Sequence, residues 1–438
     1  MIFGGILLDN DRRIAFLTLK DIEEKGVWSN LAAEKRISKE GAAVPAFVRE
    51  IVYGVLRNRT LLDYNIDKFL KKPKISLSER IWLRMGFYQL ALMDGQKDHA
   101  AINETVELAK AFKKGSESFI NAVLRSFQRK GKTLVYPDKE DTEYLKVRYS
   151  VHEDIARLWT GAYGFDACER MLSASNTPAP MCLRINRMKI SKDEFIEKLL
   201  SEGIEVIDKS GLLSPYAVYV KGSGLLDTEM YKEGLFSVQG ESSQYAVRVL
   251  GPKPGSTVID LCAAPGGKSC AMAEMMNFEG KILAFDIYGH RVGLINKEAE
   301  RLGIDCIETA IKDASVFDPE FESTADYVLA DVPCSGLGTL RENPEIKYRK
   351  PDKISSQGSI LGNALRYVKP GGYVLYSTCT VDPSENEDIV KNCDLVDSHI
   401  LGTEYIEKEY KVVASRQLMT EKGGHDGFYI CLIKRSRP

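Results

Sequence analysis

The chain has little of what marks a secreted, metal-binding or membrane protein. Its nine cysteines are scattered, no two form a C-x-x-C pair, and none clusters with the five histidines. This argues against a zinc site and against a disulfide framework. The apolar opening Met1-Ile2-Phe3-Gly4-Gly5-Ile6-Leu7-Leu8 lacks a basic leader and stops at Asp9, too short for a signal peptide. No later run has the length of a membrane span. The expectation is a cytoplasmic monomer with no metal and no membrane partner. With 44% hydrophobic and 28% charged residues among 438, the composition is that of a globular protein of two to three domains.

Net charge is also low, at -2, but it hides an asymmetry. Residues 1–135 carry 24 Lys and Arg against 16 Asp and Glu, a net of +8; the rest carry 36 against 46, a net of -10. A basic module joined to an acidic one suggests a polyanion partner for the first. A solvated helical surface that happens to be basic explains the charge equally well.

Residues 10 to about 130 read as helical. Ile81, Met85, Tyr88 and Leu92 form one stripe, and Phe119, Ile120, Val123, Leu124 and Phe127 another. Gly41, Pro45, Pro73, Gly95 and Gly115 divide the region into six or seven helices, a compact bundle. The apolar stripes are core. The polyanion-binding candidates are Arg57, Arg59, Lys71, Lys72, Lys74, Lys113, Lys114, Arg125, Arg129 and Lys130 on the polar faces. A polar stretch over 131–142 reads as a linker, and helical spacing resumes over 144–175 through Ile155, Leu158 and Trp159. From Met181 a small α+β unit follows. It has strands near 182–186 and 215–221 and a helix over 191–202 opened by Ser191 with Glu194 three residues on.

From about 245 onward strands alternate with helices. Strands are expected at 256–261, 281–285, 304–308, 326–330, 372–377 and 427–433, giving a doubly wound, mainly parallel sheet. The turn-rich Gly423-Gly424-His425-Asp426-Gly427 before the last strand suggests an antiparallel edge hairpin.

The first of these strands runs into Cys262-Ala263-Ala264-Pro265-Gly266-Gly267-Lys268-Ser269. Small residues there let a ligand approach the backbone, and the helix that follows offers unpaired N–H groups. The loop is not a P-loop, since the first glycine of that motif would fall at Cys262, and it fails G-x-G-x-x-G as well. Asp286 ends the second strand, where an acid can accept from ribose hydroxyls, and Asp313 follows the third, in reach of an adenine edge. Each acid alone is more simply a helix N-cap. Together, without a phosphate loop, they point to S-adenosylmethionine.

Two cysteines sit in equivalent places. Ala330-Asp331-Val332-Pro333-Cys334-Ser335-Gly336 leaves a carboxylate and a thiol at the carboxyl end of a strand, and Ser377-Thr378-Cys379-Thr380 ends another. If those strands are neighbours, both thiols face one cleft. Core packing explains any single cysteine better, but not a pair so placed.

D-x-C-A-A-P-G-G-K-S, A-D-V-P-C-S-G-x-G and Y-S-T-C-T, in this order, resemble the RNA 5-methylcytosine methyltransferases, and among them the bacterial RsmB (Fmu/Sun) type that acts on 16S ribosomal RNA. The segments beginning at Val52, Arg84 and Phe119 resemble the NusB-type domain of that subgroup. The resemblance implies an all-α NusB-like helical bundle over 1–135 that binds RNA. A helical linker with a small α+β domain would cover 144–243, and an α/β Rossmann-like S-adenosylmethionine-dependent domain 244–438. It implies Cys379 as nucleophile, Cys334 as the group that releases product, and Asp331 and Lys268 beside them. Cys262, Ala263, Ala264, Pro265, Gly266, Gly267 and Lys268, with Asp286, Arg291, Asp313 and Asp331, would hold the cofactor. Arg341, Lys347, Arg349, Lys350 and Lys353 are candidates for gripping the RNA backbone, with a solvated loop as their plain alternative. The chain departs from the family at Val332, where alanine is usual and the pocket would narrow, and at Gly240, where an acid is often found. Three alternatives stay open: transfer RNA as substrate, an amino-methyltransferase, and a non-catalytic RNA-binding scaffold. The amino-methyltransferase reading has Cys334 where an aromatic ring is needed.

Overall fold

The computed structural model describes the chain except residues 1, 4, 5, 8, 72, 73, 208, 210, 223, 353, 398–408, 421, 423 and 438. Lys72, Pro73, Lys353 and Gly423, singled out above, therefore lie outside the described residues. The contacts divide the chain into two compact units, Met1–Pro178 with Leu340–Pro351, and Ala179–Thr339 with Asp352–Pro438.

The first unit holds the NusB-like bundle. Among the described residues its helices are Asn10–Lys25, Ser29–Glu40, Pro45–Arg57, Arg59–Asp67, Leu77–Ala91, Asp98–Phe112 and Glu117–Arg129. Local chemistry sets their ends. Asp9 accepts from the N–H groups of Asp11 and Arg12, Ser76 and Glu79 form a capping box, and Gly26 and Gly41 close two helices in the left-handed conformation. Ile81, Met85, Tyr88, Ile120, Leu124 and Phe127 are buried as their spacing requires, with Phe87 and Phe127 stacked 3.9 Å apart. Gly86 is where two helices meet closely, because a Cβ there would come within 2.5 Å of Leu124. The helices Tyr144–Arg148, Glu153–Tyr163 and Phe165–Ser175 belong to this unit, anchored by buried Ile155 and Trp159.

The same unit also holds the segment Leu340–Pro351, and this corrects an expectation. Arg341 and Lys347 do not face RNA: they are 1% and 0% exposed. Lys347 donates to the carbonyl of Arg57 at 3.0 Å and to Asn176, and burial pushes its amine well down. The Tyr348 hydroxyl donates to the carbonyl of Leu56 and its ring lies 3.6 Å from the Arg59 guanidinium. Arg57 donates to the Arg341 carbonyl at 3.3 Å. Arg57, Arg59, Arg341 and Lys347 thus fasten the segment down, together with buried Leu340 and Ile346. Arg349 lies 4.9 Å over the ring of Trp28, and Lys350 is exposed. Of the other cations named, Lys113 pairs with Glu79 at 2.9 Å and Arg125 donates to Asn103 at 3.0 Å. Lys130 lies 5.0 Å from the ring of Phe69, while Lys71, Lys74, Lys114 and Arg129 are exposed.

The second unit begins with a small antiparallel sheet in the order Glu205–Ile207, Ala217–Lys221, Met181–Ile185, Phe236–Val238. The helix Lys192–Ser201, opened by the Ser191–Glu194 capping box, buries Phe195 and Leu199 against it. The main sheet follows, with strands β1 Thr257–Asp260, β2 Lys281–Asp286, β3 Ile307–Ile311, β4 Ala325–Asp331, β5 Val368–Thr378, β6 Val396–Asp397, β7 Tyr410–Leu418 and β8 Phe428–Arg435. Their order is β6-β7-β8-β5-β4-β1-β2-β3, with β5, β4, β1, β2 and β3 parallel.

Three details differ from expectation. β3 starts three residues later than 304, because Ile304 closes the preceding helix: its N–H bonds to the Ala299 carbonyl at 2.9 Å after left-handed Gly303. β8 is antiparallel, but it lies inside the sheet between β5 and β7. β7 is the hairpin partner that the turn before β8 implies, but no bounds were expected for it; its Tyr410-Lys411-Val412-Val413 start breaks alternation at a bulge after Val412.

Candidate active site

β4 and β5 are adjacent and parallel, with Asp331 opposite Ser377. Their carboxyl ends therefore deliver the two cysteine loops to one place. The sulfur atoms of Cys334 and Cys379 approach to 3.2 Å. Close packing of backbone permits this. Gly338 donates its N–H to the Cys379 carbonyl at 2.9 Å and accepts from Gly427 at 3.0 Å. A Cβ at Gly338 would fall 1.9 Å from the Gly427 oxygen, so no other residue fits.

Asp331 is held from both sides. Lys268 donates to its Oδ2 and Ser377 to its Oδ1, each at 2.7 Å. Burial opposes the Lys268 charge, but Asp331 outweighs it, with Cys379 and Asp260 adding to the same effect, and the amine stays above its ordinary value. The neighbouring Cys379 sulfur, burial and the Glu385 carboxylate all push the Cys334 thiol well up.

Behind the cysteines lies a network that motif reading missed. Glu385 accepts from the Ser335 N–H at 3.1 Å, from the Ser335 hydroxyl at 2.5 Å and from Gln357 at 3.0 Å. Gln357 also donates to the Pro333 carbonyl at 2.9 Å, and Ser335 meets the Thr380 hydroxyl at 2.8 Å. The only sequence cue was the acid-rich Asp382-Pro383-Ser384-Glu385 after the second thiol. Val332, expected to narrow the pocket, is instead 4% exposed within the apolar core.

The glycine loop meets the requirements for a small nucleoside ligand. Gly266 is left-handed and a Cβ there would lie 3.1 Å from Ile295, while a Cβ on Gly267 would lie 3.3 Å from Gln239. Ala263 and Ala264 keep the loop low, Pro265 is exposed, and Gly267 starts the helix. Asp286, 5% exposed, accepts from the Tyr288 N–H at 3.0 Å and has Arg291 3.9 Å away. Asp313 is tied to Ser315, whose hydrogen bonds hold its carboxyl low. It lines a cavity of about 310 Å³ with Leu261, Phe285, Ala314, Phe317 and Tyr367, whose charged lining is Asp313, Lys312 and Asp318. Burial and the surrounding carboxylates of Asp260, Asp331, Asp286 and Asp313 push the Cys262 thiol up. Asp260, missed above as a site residue, is fully buried with one carboxylate oxygen unpartnered; burial pushes it up to about 7. Among the described residues no group of three His, Cys, Asp or Glu could hold a metal ion.

Arg184 connects the small sheet to this loop. It donates to the Gly267 carbonyl and to Gln239, each at 2.6 Å, and pairs with buried Glu274 at 2.8 Å.

A family model described as 16S rRNA methyltransferase RsmB/F matches residues 247–434. A NusB family model matches 9–129, and a ferredoxin-like domain model of RsmF/B-like methyltransferases matches 155–224. The Probable ribosomal RNA small subunit methyltransferase B of Bacillus subtilis is 35% identical, over 97% of this chain and 98% of that protein. The Ribosomal RNA small subunit methyltransferase B of Erwinia tasmaniensis is 31% identical, over 98% and 99%. The solved structure of PH0851 superposes with a TM-score of 0.78 at 26% identity, covering 98% of this chain and 99% of that one.

Proposed function

Because the chain belongs to the RsmB/F family of S-adenosylmethionine-dependent ribosomal RNA methyltransferases, we propose that it methylates C5 of a cytosine in 16S ribosomal RNA through a Cys379–cytosine C6 adduct. One observation carries the reading: two thiols in contact at the ends of adjacent strands, beside a Lys268–Asp331 ion pair.

The chemistry needs those groups. Cytosine C5 is a weak nucleophile until a thiolate adds to C6, which makes C5 enamine-like. A free thiol, with a pKa of about 8.5, is mostly protonated at neutral pH; Lys268 is the cation whose charge is coupled to the Cys379 sulfur. Asp331 accepts from the cytosine amino group and steadies the base as charge develops. The glycine loop, Asp286, Arg291 and Asp313 would hold S-adenosylmethionine, which would supply an electrophilic methyl group to C5 and leave as the neutral thioether. Once the Cys379 sulfur is bonded to C6 it carries no charge, and the main influence keeping Cys334 protonated is gone. Cys334 then loses its proton to solvent, takes the C5 proton, and the electrons of that C–H bond expel Cys379 as thiolate.

The target base must leave its stack to reach such a site, with backbone held by cations of the helical unit such as Lys71, Lys74, Lys114 and Arg129. No helix among the described residues is long and apolar enough to cross a membrane; we place the protein in the cytoplasm with its RNA. The test is to map 5-methylcytosine in ribosomal and transfer RNA from cells lacking this protein. Loss of a single 16S site is expected, and loss confined to transfer RNA would replace the substrate.

A further inference from the structure

Nothing in the proposed chemistry explains why a buried acid should sit directly behind Cys334. Glu385 is 2% exposed, in the short turn Pro383–Glu385. Its carboxylate oxygens accept three hydrogen bonds, two from Ser335 and one from Gln357. Its backbone carbonyl accepts from Tyr376 at 2.7 Å. Ser335 is the residue after Cys334, and Gln357 also holds the Pro333 carbonyl, so the carboxylate grips the cysteine turn from both flanks. Ser335 reaches on to Thr380, the residue after Cys379. One acid thereby joins both thiol loops.

We propose that Glu385 is a positioning residue that locks the Cys334 turn against the Cys379 turn and sets a fixed negative charge behind Cys334, which makes Cys379 the attacking thiol. This rests on the covalent reading above and deepens it: it says why two chemically identical side chains take different roles. The charge distribution agrees. Tyr376 and Glu385 act on Cys334 together with Cys379, Asp382 acts on Glu385, and the charge of Lys268 is coupled to Cys379. The carboxylate is bonded to Ser335, the residue after Cys334, which puts the added anion beside that turn. Burial raises the Glu385 carboxyl, while the donors from Ser335 and Gln357 work to keep it ionised.

The test separates charge from clamp. Alkylation of Cys334 by iodoacetamide is followed across pH by peptide mass spectrometry in full-length Cys379→Ala protein, with and without Glu385→Gln. The glutamine should shift the Cys334 profile to lower pH by roughly one to two units, the effect of removing a unit charge a few ångströms away. Ser335→Ala keeps the charge and should leave the profile in place. In the otherwise native enzyme both Glu385→Gln and Ser335→Ala should lower kcat, Glu385→Gln by roughly 10²-fold, with KM for RNA unchanged, and Glu385→Asp should recover part of the loss. An unmoved alkylation profile in folded Glu385→Gln protein, judged by its thermal melt, overturns the proposal. So does a Ser335→Ala shift of the same size. Because alkylation needs neither RNA nor cofactor, it reports on Glu385 even if Cys379→Ala protein proves able to methylate, a result that would sink the covalent reading instead.

Discussion

The sulfur of Cys334 lies 3.2 Å from that of Cys379, although 45 residues separate them in the chain. Two parallel neighbouring strands produce this contact, and it makes the thiols interdependent: ionising one disfavours ionising the other. The first prediction follows. Cys334→Ala protein mixed with substrate RNA and S-adenosylmethionine should accumulate a covalent protein–RNA band on a denaturing gel, because attack proceeds and release does not. Cys379→Ala should give no band. The reverse pattern would exchange the two roles.

Lys268 is the cation that Asp331 holds at 2.7 Å. Replacing it with methionine keeps most of the packing but leaves Asp331 with Ser377 alone among its side-chain donors. The expected loss is roughly 10²–10³-fold in kcat, the usual scale for removing one electrostatic stabiliser. Lys268→Met protein with wild-type turnover would remove this residue from the mechanism.

Asp260 carries a pH signature. Its carboxyl is pushed up to about 7 from 3.8 by burial, with Asp331 adding to the effect against the Ser269 hydrogen bond. The unfolded chain therefore releases this proton at lower pH than the folded protein does, so stability falls as pH rises from about 4 to about 7. Asp260→Asn should match wild type in thermal melts near pH 3.8 and exceed it increasingly up to pH 7. The gain is a few kcal/mol at most, since one pKa unit is about 1.4 kcal/mol. A difference that does not grow with pH would show that Asp260 is ionised in the fold.

Arg184 and Glu274 form a buried pair, 4% and 5% exposed in their side chains. Arg184→Met leaves a buried carboxylate without its partner and should cost about 3–5 kcal/mol in denaturant unfolding. Adding Glu274→Met should restore much of that. Since Arg184 also holds the Gly267 carbonyl, the double variant should still bind S-adenosylmethionine more weakly by calorimetry; unchanged affinity would detach the small sheet from the cofactor loop.

The helical bundle and the parallel sheet were legible because periodicity is local: the stripe through Ile81, Met85 and Tyr88 and the apolar run Val328-Leu329-Ala330 can be buried in only one way each. Boundaries were less so. Ile304 is apolar whether it extends a strand or closes a helix, and only the Ala299 carbonyl decides. The hairpin before β8 implied β7, but its extent was not legible because a bulge after Val412 breaks its alternation. In the candidate site the glycine loop and both thiols were legible as short motifs at strand ends, whereas Glu385 and Gln357 carry no motif of their own.

By itself the sequence determined the fold class, the family and the two cysteines, because these depend on residues a few positions apart whose chemistry is expressed locally. Tertiary structure alone decided which cations are buried and what joins the two thiol loops. Lys347 looks like any surface lysine until Arg57 and Asn176 surround it. The two thiol loops look independent until Glu385 holds Ser335 and Ser335 meets Thr380. Burial and fixed charge act through space, and the residues that supply them come from distant parts of the chain.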